Sequence, residues 1–336
     1  MELKKIRKIA IEEHVGIPEL ASVGKEISDR LGFPNLSDPD RMKNVLGPVM
    51  NLDPAEHRIP LMDKFGVDIQ VLSAGGGSIQ NDINSQRAVD NAKFCNDFVY
   101  DVIKKYPKRF LGFGILAMQD VQQSLKELER CKKELGFVGI MLHGATNFSY
   151  YDEVQYYPIW EKLQEYNFPL YLHVGSPEAD QIRIYDGYPE ILGNTWNWGV
   201  VGGTHALRII FGGIFERFPN AHLILGHMGE SLPYVLGRAD EGYDCRNVKK
   251  IKGLPHEPSY YFKKNVYITT SGKYYPEAMT CAVKAIGPEH ILFANDYPHY
   301  PLEDSIRHIE ECDLSPDQLD LILHKSAEKL FQLSVN

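Results

Sequence analysis

The stretch Ile9-Ala10-Ile11-Glu12-Glu13-His14 begins the chain with a short apolar run that ends in charged and metal-binding side chains. Side chains of a strand alternate between its two faces, so we expect Glu12 and His14 to share one face and Glu13 to occupy the other. A carboxylate and an imidazole two residues apart form half of a site for a divalent metal. The same pattern also fits an ordinary strand end with solvated charges.

Apolar runs of similar length recur along the chain, and most are rich in Ile, Leu and Val, as parallel strands covered on both faces are. We predict strands at Ile9–His14, Val67–Ser73, Phe110–Leu116, Val138–Leu142, Pro169–Val174, His222–His227, Val266–Thr270 and Ile291–Asp296. Helical patterns lie between strands or after the last one, at Asp82–Lys105, Asp120–Leu135, Thr204–Phe218 and Ser315–Phe331. This alternation predicts an α/β protein with either a closed parallel barrel or a doubly wound sheet.

The ends of the predicted strands favour the barrel. Several strands finish in a residue that binds metals or moves protons: His14, His173, His227 and Asp296. A barrel brings all of these ends together on one rim, whereas an open sheet would spread them along an edge. We therefore predict a single (β/α)₈ TIM-type barrel over residues 1–336. Long insertions are expected after strands one and five. Val15–Phe65, after strand one, is expected to form a lid or a subunit contact. Gly175–Gly203, after strand five, is expected to form a wall of the substrate pocket.

Two further strands strengthen the case for a metal. His173 follows four mostly apolar residues in the fifth strand, and Asp296 ends the eighth. Alone, His173 fits a hydrogen-bonded core residue, and Asp296 fits a helix cap or a turn before Pro298. Together with Glu12 and His14 they lie on strands one, five and eight, and a barrel closes strand eight against strand one. Four nitrogen and oxygen ligands suit Zn²⁺ or Mn²⁺ and leave a position for substrate.

The sixth strand ends in His227, and Glu230 follows three residues later. We expect Glu230 in the first turn of the next helix, where its carboxylate can accept from one imidazole nitrogen and make His227 a positioned acid or base. A helix N-terminus also favours a glutamate for its charge alone. Arg238 in the same helix and His143 at the end of the fourth strand are candidates for substrate binding, although a surface role fits Arg238 equally well. Gly75–Gly77 lacks the Lys-Ser/Thr of a phosphate loop.

Composition excludes some partners. The chain has 336 residues, 43% of them hydrophobic, and a formal charge of −9, with no basic run beyond its first residues. Nucleic acid binding requires clustered Lys and Arg, so we expect no nucleic acid partner. The five cysteines are scattered and odd in number, which is typical of reduced thiols in a cytoplasmic protein. We expect no membrane association, because no apolar stretch is long enough to cross a bilayer.

These motifs, in this order, resemble the amidohydrolase-related family that includes aminocarboxymuconate-semialdehyde decarboxylase. The resemblance extends over nearly the whole chain and includes Glu12-x-His14, Leu172-His173, Gly226-His227-Met228-Gly229-Glu230 and Asp296-Tyr297-Pro298. The Glu-x-His start resembles the one found in the branch of γ-resorcylate, 2,3-dihydroxybenzoate and 5-carboxyvanillate decarboxylases. Tyr300, where relatives usually have an acidic residue, and His143, where they often have Asn, depart from the family pattern.

The resemblance implies Glu12, His14, His173 and Asp296 as ligands of one Mn²⁺ or Zn²⁺ ion, in a homodimer or homotetramer. It also implies His227 and Glu230 as a catalytic pair and Asp296 as the proton donor. The expected reaction is non-oxidative decarboxylation of an ortho-hydroxybenzoate, in which Asp296 protonates the ring carbon before carbon dioxide leaves. The alternative is hydrolysis of a lactone or amide by metal-activated water, with Asp296 as the base. A ligand-binding protein on a catalytically inactive barrel is a third, disfavoured interpretation.

Overall fold

A computed structural model of the chain describes residues 3–31, 53–74, 77–175 and 183–333. In this part of the chain, eight parallel strands form one sheet in sequence order. The strands are β1 (Ile9–Val15), β2 (Ile69–Ala74), β3 (Phe110–Gly114), β4 (Gly139–His143), β5 (Leu170–His173), β6 (Leu223–Leu225), β7 (Val266–Thr269) and β8 (Ile291–Leu292). The predicted (β/α)₈ barrel is confirmed, and each predicted strand overlaps an observed one.

Backbone hydrogen bonds join the last strand segment to the first and so close the barrel. The amide of Ile11 donates to the carbonyl of Phe293 at 3.1 Å, and the amide of Asp296 donates to the carbonyl of Glu12 at 2.8 Å. The amide of His14 donates to the carbonyl of Tyr297 at 2.7 Å. This closure places the carboxyl ends of β1 and β8 side by side, as the sequence-based argument for a shared site requires.

Helices connect the strands and cover the outside of the sheet. They are α1 (Ala21–Leu31), α2 (Pro54–Phe65), α3 (Gly77–Gln80), α4 (Ser85–Lys105), α5 (Val121–Lys133), α6 (Tyr157–Glu165), α7 (Asn197–Phe211), α8 (Ile214–Arg217), α9 (Leu232–Cys245), α10 (Val248–Lys252), α11 (Pro258–Asn265), α12 (Pro276–Ile286), α13 (Leu302–Glu311), α14 (Pro316–Asp320) and α15 (Ser326–Leu330). A π-helical turn, Leu321–Lys325, joins α14 to α15. Among the described residues, no helix is both long and apolar enough to cross a membrane.

Side-chain caps explain where two of the predicted helices begin. The helix predicted from Asp120 begins at Val121, because Asp120 is its N-cap: the Asp120 carboxylate accepts from the amide of Gln123 at 3.0 Å. The helix predicted from Asp82 instead begins at Ser85, because the side chain of Asn84 accepts from the amide of Arg87 at 3.0 Å. Asp82 lies before the helix, where its carboxylate accepts from the amide of Asn84.

Alternation along the strands divides the apolar residues into an outer layer against the helices and a filling inside the barrel. The inner cluster contains Ile9, Ile11, Val71, Phe113, Val138, Met141, Tyr171, Ile224, Tyr267, Leu292 and Ala294, together with Ala327, Leu330 and Phe331. In β5, for example, Tyr171 belongs to the inner cluster while Leu170 and Leu172 belong to the outer one. The next residue on the inner face of β5 is therefore His173, at the carboxyl end of the strand.

Strand β1 changes face before it reaches the rim. Ile11 belongs to the inner cluster and Ala10 to the outer one, so strict alternation would put Glu13 on the inside. The register of β1 against β2 shifts between Ala10 and Glu13, an irregularity of the β-bulge type. Consequently Glu12 and His14 lie on the inner face, while Glu13 packs behind the strand. The prediction that Glu12 and His14 share a face opposite Glu13 is correct, and the bulge makes that face the inner one.

The two predicted insertions fall partly outside the described residues. The segment after β1 contains α1 and α2, and residues 32–52 between them lie outside the description. The segment after β5 contains short 3₁₀ turns and the start of α7, and residues 176–182 lie outside it. Residues 75 and 76, the first two of the Gly75–Gly77 run, also lie outside the described residues. The roles predicted for the two insertions, a lid or subunit contact and a substrate wall, stay predictions.

Candidate metal centre and catalytic pair

Four side chains converge at the carboxyl rim of the barrel. Glu12, His14, His173 and Asp296 each offer one ligand atom, and these atoms all lie within 4.8 Å of one another. The His14 Nε2 to Asp296 Oδ1 distance is 3.2 Å, and the His173 Nε2 to Glu12 Oε1 distance is 3.3 Å. The structure thus brings together the four residues that the sequence nominates as ligands.

The ligand atoms have no other partner that accounts for their burial. Within the described ranges, Glu12 Oε1, His14 Nε2, His173 Nε2 and Asp296 Oδ1 are buried without a hydrogen bond. Burying polar atoms in this way is costly unless something satisfies them. Two carboxylate oxygens and two imidazole nitrogens that face a common point match the donor set of Zn²⁺ or Mn²⁺. The residues therefore fit one divalent metal ion.

Hydrogen bonds to the other ring nitrogens orient the two imidazoles. Nδ1 of His14 lies 2.9 Å from Oγ of Ser73, and Nδ1 of His173 lies 3.0 Å from the carbonyl oxygen of Val174. A carbonyl only accepts, so Nδ1 of His173 carries the proton and Nε2 keeps its lone pair. This is the tautomer that a metal ligand bound through Nε2 needs.

Hydroxyl groups hold the second oxygen of Glu12. Thr269 donates to Glu12 Oε2 at 3.0 Å, and Ser271 donates a shorter hydrogen bond to the same oxygen. The two hydroxyl oxygens lie 2.8 Å apart, and the hydroxyl of Tyr171 lies 3.2 Å from that of Thr269. These contacts fix the carboxylate so that Oε1 faces the other ligands. These hydroxyls were not predicted from the sequence, although Thr269-Thr270-Ser271 is a visible polar run at the end of β7.

Replacing Ser271 with Ala should weaken metal binding about 10- to 100-fold, since removing a group that orients a ligand typically has that effect. Competition with a fluorescent chelator would measure the Mn²⁺ affinity. The control is Thr270→Val, because within the described part of the chain the Thr270 hydroxyl bonds only to the backbone of Ala294, at 3.0 Å. Equal Mn²⁺ affinities in wild type and Ser271→Ala would contradict the orienting role.

His227 and Glu230 form a close pair beside the ligands. Nδ1 of His227 lies 2.6 Å from Oε1 of Glu230. Nε2 of His227 lies 3.5 Å from Glu12 Oε1 and 3.7 Å from Asp296 Oδ2. The second oxygen of Glu230 lies 3.7 Å from Nζ of Lys273, a residue that the sequence analysis missed. One nitrogen of His227 is thus tied to a carboxylate while the other faces the candidate metal centre.

The predicted position of Glu230 in a helical turn is wrong. Residues 227–231 all have left-handed φ angles, 49° at His227 and 51° at Glu230 among them, and α9 begins only at Leu232. Asp296 is also left-handed, with φ of 65°. Left-handed backbone at non-glycine residues is strained and is concentrated at functional sites. Here the left-handed turn folds the chain back so that Glu230 reaches Nδ1 of His227.

Electrostatics in the cluster favour ionised carboxylates and a protonated His227. Burial alone would raise the pKa of Glu12, but His227 and His173 outweigh it and lower that pKa to about 2. Burial would likewise raise the pKa of Asp296, but the imidazoles of His14 and His227, 3.2 and 3.7 Å from its carboxylate oxygens, hold that pKa well below its usual value. Burial works against protonation of His227, yet Glu12 and Glu230 raise its pKa well above the ordinary value.

Gly272 lies against His227 and leaves no room for a side chain. A Cβ atom on Gly272 would lie 2.7 Å from Cδ2 of His227, and the φ angle of Gly272 is +66°. We expect Gly272→Ala to displace the imidazole and lower kcat at least about 10-fold, because small misplacements of catalytic groups have large effects. Steady-state kinetics would measure kcat, and thermal melts would measure the stability of the variant.

Gly136 provides the matched control for this substitution. Its φ is +65°, and a Cβ atom there would meet nothing within 4 Å. Gly136→Ala should therefore lose about 1–2 kcal/mol of stability from backbone strain and keep its activity. Equal activity losses in the two variants would mean that contact with His227 is not the cause.

The two candidates for substrate binding lie in different places. His143 is buried at the end of β4, and its Nδ1 lies 3.1 Å from Nδ1 of His173. Arg238 lies on α9 with its side chain 83% exposed and paired with Glu241 at 2.6 Å, so the structure does not bring it to the cluster. Tyr300 is half-buried and packs edge-on against Tyr274.

A parallel barrel whose carboxyl rim carries candidate nitrogen and oxygen ligands and a His–Glu pair is typical of a metal-dependent (β/α)₈-barrel enzyme. The family model described as Amidohydrolase (Amidohydro_2) matches residues 49–333. The chain belongs to this family. It is 37% identical to γ-resorcylate decarboxylase of Polaromonas sp. (strain JS666), over 97% of this chain and 99% of that one.

Solved structures agree with this assignment. A dihydroxybenzoic acid decarboxylase of Polaromonas sp. JS666, with bound manganese and the inhibitor 2-nitroresorcinol, matches with a TM-score of 0.88 and 34% identity over 98% of each chain. A 5-carboxyvanillate decarboxylase of Novosphingobium aromaticivorans, complexed with manganese and 4-hydroxy-3-methoxy-5-nitrobenzoic acid, matches with a TM-score of 0.90 and 30% identity over 98% of this chain and 97% of that one. The predicted family and decarboxylase branch are confirmed.

Proposed function

We propose that this chain is a metal-dependent carboxy-lyase that removes carbon dioxide, without oxidation, from a hydroxylated aromatic acid of the ortho-hydroxybenzoate type. The observation that carries the proposal is the convergence of buried, unpartnered ligand atoms beside the His227–Glu230 pair. The prediction of one divalent metal ion as cofactor and of a decarboxylase as enzyme class is confirmed at the level of the family. The individual substrate and the roles of single residues are proposals.

Glu12, His14, His173 and Asp296 would hold the metal through the atoms that have no hydrogen bond among the described residues. When bound, a divalent ion supplies Lewis-acid chemistry that lowers the pKa of a phenol and orients a chelating substrate. Ser73, Val174 and Ser271 keep the ligand side chains in place before substrate arrives. The chain therefore presents a preorganised rim to the carboxylate of the substrate and to one ortho oxygen.

Asp296 and His227 would move the proton. Nε2 of His227 lies 3.7 Å from Asp296 Oδ2, so a proton held on His227 has a short path to that carboxylate. Asp296 then delivers the proton to the ring carbon that carries the carboxylate. The carbon–carbon bond to the carboxylate breaks, its electron pair restores the aromatic ring, and carbon dioxide leaves. Glu230 holds the His227 ring in position to take up the next proton.

Isotopes separate this reaction from the hydrolytic alternative. In D₂O, the Mn²⁺-loaded enzyme should place one deuteron on the ring carbon that loses the carboxylate. In H₂¹⁸O, the phenolic product should contain no solvent oxygen, whereas hydrolysis of a lactone or amide incorporates one oxygen atom into its product. A phenol without ring deuterium, or a product carrying ¹⁸O, would refute the proposed chemistry.

We further propose a homodimer or homotetramer that works in the cytoplasm. Support for association comes from large aromatic side chains that a single chain leaves exposed, with Trp196 at 60%, Tyr234 at 82% and Tyr275 at 65%. Support for a reducing compartment comes from the cysteines, none of which forms a disulfide. Light scattering after size exclusion should give a mass two or four times 38.2 kDa, and a monomeric mass at micromolar concentration would contradict association.

A further inference from the structure

His143 lies next to the candidate ligands, yet neither the ligand set nor the His227–Glu230 pair includes it. Met141, two residues earlier in β4, belongs to the cluster inside the barrel, so alternation puts His143 on the same inner face at the rim. Its partner in the register between β4 and β5 is His173. The residue is 5% exposed. A polar ring in this position requires an explanation.

Hydrogen bonding fixes where the protons of the two rings lie. Nδ1 of His173 carries a proton, because it lies 3.0 Å from the carbonyl oxygen of Val174, which can only accept. Nδ1 of His143 lies 3.1 Å from that same nitrogen. Two N–H groups cannot bond to each other, so Nδ1 of His143 is an unprotonated acceptor. The proton of the neutral His143 ring is therefore on Nε2.

This Nε2–H group is a buried donor without an acceptor among the described residues. Buried donors in folded proteins almost always have a partner, so the group is suited to a ligand. The ring centroid of His143 lies 6.1 Å from that of His14 and 4.7 Å from that of His173. The donor is thus beside the candidate metal centre but outside the four-ligand set.

We infer that His143 donates a hydrogen bond from Nε2 to an oxygen of the bound aromatic acid that the metal would not bind. This inference rests on the proposed function and adds a specificity determinant to it. The metal that the four ligands would hold supplies the positive charge for the carboxylate and one ortho oxygen, which leaves the oxygen on the other flanking carbon in need of its own donor. His143 thereby selects acids with oxygen substituents on both carbons that flank the carboxylate.

Binding of two unreactive ligands tests the contact without requiring turnover. 2-Nitroresorcinol has oxygen on both flanking carbons, and 2-nitrophenol has it on one. Calorimetry on Mn²⁺-loaded protein should show that His143→Phe weakens 2-nitroresorcinol about 10- to 100-fold and 2-nitrophenol less than about 3-fold. Equal losses for both ligands, or no loss for either, would overturn the inference even in an active decarboxylase.

Two further measurements separate substrate contact from structural support. In His143→Phe, the carbonyl of Val174 still accepts from His173. The Mn²⁺ affinity of this variant should therefore match that of wild type. A parallel loss of Mn²⁺ affinity would assign His143 to positioning His173 and would overturn the inference. Nitrogen-15 spectra of Zn²⁺-loaded protein, assigned by comparison with His143→Phe, should show the proton of His143 on Nε2. A proton on Nδ1 would overturn it whether or not the protein decarboxylates anything.

Discussion

Asp296→Asn is expected to lower kcat at least about 1000-fold while the chain stays folded. Asn has the shape of Asp but cannot deliver a proton to the ring carbon, and loss of a general acid typically costs a factor of 10² to 10⁴. Asp296 also offers one of the four candidate ligand atoms, so kcat must be measured at saturating Mn²⁺. Circular dichroism and thermal melts would check that the fold is retained.

Excess metal distinguishes the two roles of Asp296. A variant that has only lost a ligand should regain part of its activity when Mn²⁺ is raised far above its dissociation constant. Asp296→Asn should not, because the missing proton donor is not replaced by metal. Recovery of near-normal kcat in this variant at high Mn²⁺ would refute Asp296 as the acid and leave it as a ligand only.

Glu12→Gln is expected to weaken Mn²⁺ binding at least about 100-fold and to leave the purified protein nearly free of metal. The neutral amide is a poor ligand, and it also places an N–H₂ group against the hydroxyls of Thr269 and Ser271 or against the metal. Metal analysis after dialysis and a chelator competition would measure the effect. Partial rescue by excess Mn²⁺ should follow, in contrast to Asp296→Asn.

Glu13→Gln is the matched control, one residue further along the same strand. Glu13 accepts from Gln70 at 3.1 Å and from the amide of Asn295 at 3.1 Å, and it lies 4.0 Å from Arg58, behind β1. Its substitution should reduce stability, by about 1–3 kcal/mol for disturbed buried hydrogen bonds, but leave the metal bound. Metal loss in both variants would mean that the bulge in β1 does not separate the two faces as described.

The barrel and the convergence of the candidate ligands could be predicted from local sequence. His173 and Asp296 each follow an apolar run, and parallel strands in a barrel bring their carboxyl ends to one rim wherever they lie in the chain. The pairing of His227 with Glu230 was also predicted from a spacing of three residues, although the turn that brings the two side chains together is left-handed and not the expected helical turn. These inferences need only the periodicity of strands and the chemistry of side chains.

Features that depend on long-range contacts could not be predicted in this way. The bulge in β1 is visible only in its register with β2, and the left-handed turn after His227 has no local signature beyond Gly229. The hydroxyls that hold Glu12 come from residues about 260 positions away in sequence. Arg238 was predicted on helical position alone, whereas its solvent-exposed pairing with Glu241 depends on the orientation of α9.

Ultraviolet-monitored turnover on a panel of ortho-hydroxybenzoates tests the central claim most directly. The Mn²⁺- and Zn²⁺-loaded proteins would be offered salicylate, 2,3- and 2,6-dihydroxybenzoate and 5-carboxyvanillate, with chelator-treated protein as the control. We predict conversion of at least one acid to the phenol that lacks its carboxylate, with one equivalent of carbon dioxide and no turnover after metal removal. No conversion of any acid by protein with confirmed bound metal would contradict the account.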